Sequence, residues 1–198
     1  MKLALLLFSV LTSLSMLIAQ EKPPVVCAGK PLPITLIPGP PMTVNVRWPL
    51  RFGGTREPPL PWVNGFTTDK AFRLVIRNRD EFSDFWKRLT AVVPPGGWVP
   101  PLPEIDFSKE MIVVAAMGQR PSSGYSIIID GACQTEKQVE VFVSSVESPC
   151  GGAALGIVTY PADAVRIPRS DLPVVFRETQ LSCTELQNLQ KRSTRVPN

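Results

Sequence analysis

The stretch that decides the fold is Phe107–Asp130, FSKEMIVVAAMGQRPSSGYSIIID. Within it, Met111–Met117 is an unbroken apolar run rich in β-branched residues, which is too short for a globular helix and typical of a strand buried on both faces. Tyr125–Ile129 is a second apolar run with strand composition. The segment between them, Gly118–Gly124, combines glycine, proline and serine, the residues that turns favour. We therefore expect a central β-hairpin with a polar loop at its tip.

Sequence patterns on both sides of this stretch predict short strands and one helix. Ala71–Arg77 alternates apolar and polar residues, as a half-exposed strand does. Asp80–Ala91 has apolar residues at helical spacing behind a capping-box-like Asn78 and Glu81, which predicts an amphipathic helix that covers a sheet. Further strands are expected at Gln138–Val146, Ala153–Tyr160, Ala164–Ile167 and Leu172–Arg177. Together these elements predict a mainly β fold, an antiparallel β-sandwich or half-barrel with one amphipathic helix.

The rest of the chain consists of appendages to this one domain. Residues 1–19 join a basic start to an apolar run that ends at a small residue, which predicts a cleaved signal peptide and a secreted or periplasmic protein. No basic stop-transfer flank follows, so no membrane span is expected in the mature chain. Residues 20–65 hold eleven of the 22 prolines and predict a Pro-rich extended arm that packs over the domain. Residues 66–178 are the predicted β domain, and residues 179–198 a polar C-terminal tail.

The four cysteines all follow the predicted signal peptide, at Cys27, Cys133, Cys150 and Cys183. An even number of cysteines in an exported chain indicates disulfide bonds, and four cysteines allow three pairings. We expect Cys133–Cys150, because each of these residues follows one of two neighbouring strands. We expect Cys27–Cys183 as the second bond, which would tie the two extended ends of the chain together.

Much of the chemistry that enzymes use is excluded by this sequence. It has no histidine, which excludes a Ser-His-Asp triad and argues against a transition-metal site. It also has no G-x-G-x-x-G or P-loop motif. Glu104 and Asp106 could share one face of a strand, but their proline-rich surroundings favour solvated carboxylates. We therefore expect a protein that is not an enzyme and has no cofactor, and the mild net charge of +4 argues against nucleic-acid binding.

The side chains best suited to binding lie in the predicted hairpin loop. Arg120 offers five donors and a permanent charge, the serines offer hydroxyl groups, and Tyr125 offers a rigid amphipathic ring. Protein interfaces are enriched in arginine and aromatic residues. The structural alternative is that Arg120 keeps a turn soluble, Tyr125 points inward, and Trp98 covers one end of the core. The candidate partner-binding residues are Arg120, Ser122, Ser123, Gly124, Tyr125 and Trp98.

The order of motifs around this loop resembles a known family. The chain has, in order, Asp106-Phe107, an apolar strand, Gly-x-Arg-Pro and Ser-Gly-Tyr. This order is similar to that of the PrcB C-terminal domain family, which is named for an accessory subunit of an exported bacterial protease complex. That family usually reads Pro-Thr-Gly-Gly-Tyr where Pro121–Tyr125 reads Pro-Ser-Ser-Gly-Tyr. The resemblance extends from about Asp80 to about Glu178. It implies an exported, non-enzymatic binding module that acts as an accessory or stabilising subunit, with a secreted protease as its protein partner.

Two other functions stay open at this point. Arg120–Tyr125 has the same length as the Asn-Pro-Thr-Thr-Gly-Tyr hairpin loop of chagasin-type inhibitors of cysteine peptidases, which are also β-sandwiches. A direct peptidase inhibitor that uses this loop is therefore one alternative, and a structural envelope protein is the other. An inhibitor would abolish the activity of a protease at stoichiometric ratio, whereas a subunit would preserve it. The sequence leaves the identity of the partner and the oligomeric state open.

Overall fold

A computed structural model of the protein describes residues 27–37, 48–49, 51, 55–56, 69–90, 101–147, 150 and 154–193. The predicted signal peptide lies outside these residues, as does most of the arm. The strands are β1 Lys30–Pro31, β2 Thr35–Leu36, β3 Trp48–Pro49, β4 Thr55–Arg56, β5 Phe72–Ile76, β6 Glu110–Ala116, β7 Ser126–Gln134, β8 Val139–Val146, β9 Ala162–Pro168 and β10 Val174–Gln180. The helices are α1 Arg79–Thr90 and α2 Cys183–Ser193.

Two four-stranded sheets form the body of the domain. Sheet 1 has the order β1-β7-β8-β10, and sheet 2 has the order β2-β9-β6-β5. The neighbours are antiparallel except for β8 and β10, which run parallel. The apolar side chains between the sheets form one core, to which Met111 on β6, Ile129 on β7, Val141 on β8 and Val165 on β9 contribute. The expected mainly β fold is confirmed, with a mixed sheet 1.

The central hairpin that we expected does not exist, because its two strands belong to different sheets. β6 lies between β5 and β9 in sheet 2, and β7 lies between β1 and β8 in sheet 1. Both strands are buried, as predicted, and the residues of Met111–Met117 are each at most 3% exposed. An unbroken apolar strand needs cover on both faces. The chain provides this cover by crossing from sheet 2 to sheet 1 after Met117. β6 and β7 therefore pack against each other's sheets and do not pair with each other.

The predicted amphipathic helix is confirmed as α1, and it covers the outer face of sheet 2. Its buried side chains Phe82, Phe85, Trp86 and Leu89 share a cluster with Ile112 and Val114 of β6. At its start, Glu81 N–H donates to Asn78 Oδ1 at 2.9 Å, and Glu81 Oε2 accepts from Arg77 N–H at 3.0 Å. This reciprocal capping satisfies donors that the first turn of a helix leaves unpaired. The domain therefore has three layers in the order helix, sheet 2, sheet 1.

The disulfide pairing that we expected is wrong. The bonds are Cys27–Cys133 and Cys150–Cys183, whose Cα atoms lie 5.8 and 5.0 Å apart. The register of β1 places Pro31 opposite Cys133, which brings Cys27 to the same strand. Because β8 and β10 are parallel, their C-terminal ends adjoin, and Cys150 and Cys183 follow those two ends. The local sequence pattern gave no sign of this parallel pairing.

One residue of the arm anchors it on the outer face of sheet 1. Arg51 N–H donates to Asp130 O at 2.6 Å, and its Nε lies 3.1 Å from Asp130 Oδ1. Ser144 Oγ donates to Asp130 Oδ2 at 2.5 Å, and the Arg51 guanidinium lies 5.1 Å from the centre of the Phe142 ring. The buried Asp130 is thus paired and hydrogen-bonded, as a buried carboxylate requires.

One predicted strand is absent. Ala153–Tyr160 was expected to be a strand, but residues 154–158 follow an irregular path, and Thr159 makes a single bridge. Gly156 interrupts the apolar run, and glycine weakens a strand because it has no side chain to pack. The other downstream predictions are confirmed as β8, β9 and β10.

Candidate functional site

The loop that crosses between the sheets lies against the segment that leads into β9. Arg120 N–H donates to Thr159 O at 2.8 Å, and Thr159 N–H donates to Arg120 O at 2.9 Å. Met117 N–H donates to Pro161 O at 2.9 Å at the base of the loop. The two segments therefore form one surface at this end of the sandwich. We call residues 118–125 and 154–159 the crossover surface.

The two candidate serines hold this surface together. Ser123 N–H donates to Leu155 O at 3.0 Å, and Ser123 Oγ accepts from Leu155 N–H at 2.9 Å. Ser122 O accepts from Thr159 Oγ1 at 2.7 Å, and Ser122 Oγ accepts from Gly124 N–H at 3.3 Å. The hydrogen bonds of both serines thus hold the two segments of the loop together, which gives the crossover surface a fixed shape.

Arg120 and Tyr125 pack on each other beside the serines. The Arg120 guanidinium lies 5.8 Å from the centre of the Tyr125 ring, its Nη1 donates to Gln119 O at 3.0 Å, and its Nη2 lies 3.7 Å from Glu147 Oε2. The Arg120 side chain is 25% exposed, and its buried Nε has no hydrogen-bond partner among the described residues. Tyr125 packs against the core between the sheets. The packing of Tyr125 therefore agrees with the alternative in which this side chain points inward. Part of the Arg120 side chain stays accessible.

Gly118, at the start of the loop, has a positive φ of +72°. A Cβ at Gly118 would lie 2.7 Å from Asp69 O, so a glycine is required there for space as well as for conformation. No other described residue has a positive φ. Ser123 therefore lies in the loop without the strain that a positive φ would cause.

The exposed apolar residues of this surface were not among the predicted site residues. Leu155, Ile157 and Val158 are 62%, 53% and 55% exposed. They were assigned to a strand because their composition suits one, and Gly156 within the run is the signal that could have indicated a loop. A single exposed apolar residue is ordinary, but three within four positions of one loop are unusual on a protein surface and are typical of interaction sites.

Those remaining sequence candidates that the structure describes do not build a second site. Trp98 lies outside the described residues. Asp106 accepts hydrogen bonds from Ser108 Oγ and Ser108 N–H, and Lys109 Nζ lies 3.0 Å from its Oδ2. The hydrogen bond from Ser108 is the main reason why the pKa of Asp106 is lowered to about 2, and Lys109 adds to the effect. A carboxylate held ionised in this way is unsuited to act as a general acid, and Glu104 is exposed.

The described residues contain no group of three or more cysteine, aspartate or glutamate side chains placed to hold a metal ion. None of their helices combines the length and the apolar character that a membrane crossing needs.

Comparison with known proteins gives one match. No curated protein and no solved structure matches the chain. The family model described as PrcB C-terminal matches residues 111–168. These residues run from β6 to β9 and include the whole crossover surface. This match supports the family that the sequence motifs indicated, over the segment from β6 to β9.

Proposed function

We propose that this protein is an exported, non-enzymatic accessory subunit that binds a secreted protease through the crossover surface. The PrcB C-terminal match suggests an accessory, protease-associated module. The observation that carries the proposal is the exposure of Leu155, Ile157 and Val158 on a loop fixed by hydrogen bonds. Two disulfide bonds are compatible with the oxidising compartment that export implies.

The loop of the crossover surface is ordered before any partner binds. Burial of apolar side chains supplies about 25 cal/mol per Å² removed from water. Ordering a loop on binding would offset part of that gain. Here the bonds between Ser123 and Leu155 and between Arg120 and Thr159 order the loop in advance. Arg120 and Glu147 add a charged rim, which favours specificity over strength.

An accessory role is favoured over direct inhibition. An inhibitory loop of the chagasin type would have to enter the cleft of a peptidase. In this chain, Ser122 and Ser123 are bonded to the neighbouring segment at Thr159 and Leu155. A broad two-segment surface suits contact with the side of a partner better than insertion into its cleft.

The test is capture of a protease from the medium of the native source. The mature chain with Leu155→Ser and Ile157→Ser should lose a protease that the parent retains, while Lys137→Ser should not. Lys137 is a suitable control because it is exposed in the β7–β8 turn, at the opposite end of β7. The captured protease should stay active at equimolar ratio. Equal capture by the parent and the double variant would refute the proposed surface, and loss of protease activity would favour the inhibitor.

A further inference from the structure

β5 is the outer strand of sheet 2, and among the described strands only β6 pairs with it. A groove of about 690 Å³ lies between β5 and α1. Leu74, which is 36% exposed, lines this groove together with Phe85 of the helix. A strand edge that no other described strand covers, with an accessible leucine beside it, is a template for pairing with another strand.

The helix side of the groove carries charges in a definite order. Glu81, Asp84 and Arg88 line it at spacings that place them on one face of α1. The acidic residues lie toward the N-terminal end of the helix and Arg88 toward the C-terminal end. Asp84 is paired with Lys87, at 3.3 Å, whereas Arg88 is exposed and has no ion-pair partner among the described residues.

We propose that a second copy of this chain occupies the groove, through antiparallel pairing of the two β5 strands about a two-fold axis at Leu74. Such an axis places Leu74 opposite Leu74 of the second copy and Phe72 opposite Ile76. The α1 helices then lie antiparallel beside the paired strands, because two residues join β5 to α1 and Phe85 shares the groove with Leu74.

Charge complementarity selects a second copy in this orientation. When two α1 helices are antiparallel and centred near Phe85, Arg88 of each lies beside Glu81 of the other. The interface is therefore self-complementary, as a two-fold interface has to be, and it has two reciprocal ion pairs. Parallel pairing would instead place Arg88 beside Arg88, which is unfavourable.

The dimer would leave the proposed protease contact free. Phe72 pairs with Ala116 at the end of β6 that leads into the crossover surface. Antiparallel pairing of β5 directs these ends away from each other, so that the two crossover surfaces lie at opposite poles. Dimer formation can therefore be tested without any protease, and its failure would leave the proposed function untouched.

The experiment is site-specific cross-linking of the full mature chain. A residue on a two-fold axis faces its own copy, so Leu74→Cys should form a disulfide-linked dimer rapidly on mild oxidation. Leu155→Cys is the matched control, since it is a more exposed leucine elsewhere and should cross-link far more slowly. Peptide mapping should show the Cys27–Cys133 and Cys150–Cys183 bonds intact. Equal cross-linking rates of the two variants would overturn the proposal.

A charge reversal provides a second test of the dimer. Arg88→Glu should weaken dimerisation in sedimentation experiments by about tenfold, because both reciprocal pairs become repulsive. Adding Glu81→Arg to Arg88→Glu should restore the dimer. Thermal unfolding of each variant separates this effect from loss of the helix cap that Glu81 provides. A parent chain that stays monomeric at every concentration would also overturn the proposal.

Discussion

The Asp163 carboxylate on β9 accepts a hydrogen bond from Ile129 N–H on β7 at 2.6 Å and so joins the two sheets inside the core. Asp163 and Ile129 are 1% and 0% exposed. The register of β7 with β1 covers Cys133 and Gln134 near the C-terminal end of β7, whereas Ile129 lies in the half of the strand that meets β9. This contact links β7 of sheet 1 to β9 of sheet 2 across the interior of the sandwich.

Asp163→Ala should lower the free energy of unfolding by about 1–3 kcal/mol, because it removes the acceptor of a buried hydrogen bond. Denaturant unfolding measures this change. Asp171→Ala is the matched control. Asp171 is 87% exposed and lies 3.1 Å from Arg169, so its removal should cost no more than about 0.5 kcal/mol. Equal stability of the two variants would show that the inter-sheet bond contributes little.

Gly118→Ala should destabilise the protein by more than about 1 kcal/mol, since its φ of +72° and the nearby Asp69 carbonyl both oppose a methyl group. Gly156→Ala provides the control, because a Cβ at that position has no atom within 4 Å and the residue has no positive φ. Its midpoint of thermal unfolding should stay the same or rise slightly. If the two alanines have the same effect, Gly118 is not constrained as described.

The two disulfide bonds should differ in their effect on stability. Cys27–Cys133 spans 106 positions and Cys150–Cys183 spans 33. On the chain-entropy model, replacing both cysteines of a pair by alanine costs about 5 kcal/mol for the first bond and about 4 kcal/mol for the second. Unfolding of each double variant measures the difference. Non-reducing peptide mapping that links Cys27 to Cys150 or Cys183 would contradict the pairing.

The pH dependence of stability should include a contribution from Asp106 in acid. The pKa of Asp106 is lowered from 3.8 to about 2, mainly by the hydrogen bond from Ser108. A lowered carboxyl pKa stabilises the fold above the unfolded value of 3.8, and the contribution is lost as the pH falls through about 2. Ser108→Ala should raise this pKa and flatten the pH dependence in that window. An NMR titration in which the pKa of Asp106 is the same in both proteins would contradict the assignment.

The sequence predicted those elements whose pattern is local. The apolar spacing of Phe82, Phe85 and Leu89 is sufficient to identify α1. The apolar run Met111–Met117 is sufficient to identify a buried strand. Pairing between distant strands leaves no such local trace. The hairpin prediction failed because turn residues between two strands fit an arch between sheets as well as a hairpin within one.

Of the two segments that form the candidate site, the sequence predicted one. Turn chemistry located the Gly118–Tyr125 loop, which is one half of the crossover surface. The other half escaped because the composition of Leu155–Val158 is also that of a buried strand, and its exposure depends on where the chain after β8 is anchored. Cys150–Cys183 provides that anchor through the parallel pairing of β8 and β10, a contact between residues far apart in the chain.

The most direct test measures two quantities, the affinity for the captured protease and the midpoint of thermal unfolding. Both are determined for the parent and for the double variant that combines Leu155→Ser and Ile157→Ser. These side chains are more than half exposed, so the unfolding midpoint should stay close to that of the parent. Affinity should fall by about 2 kcal/mol or more, as it does when interface hot spots are truncated. A variant that keeps both its midpoint and its affinity would contradict the role of the crossover surface in binding.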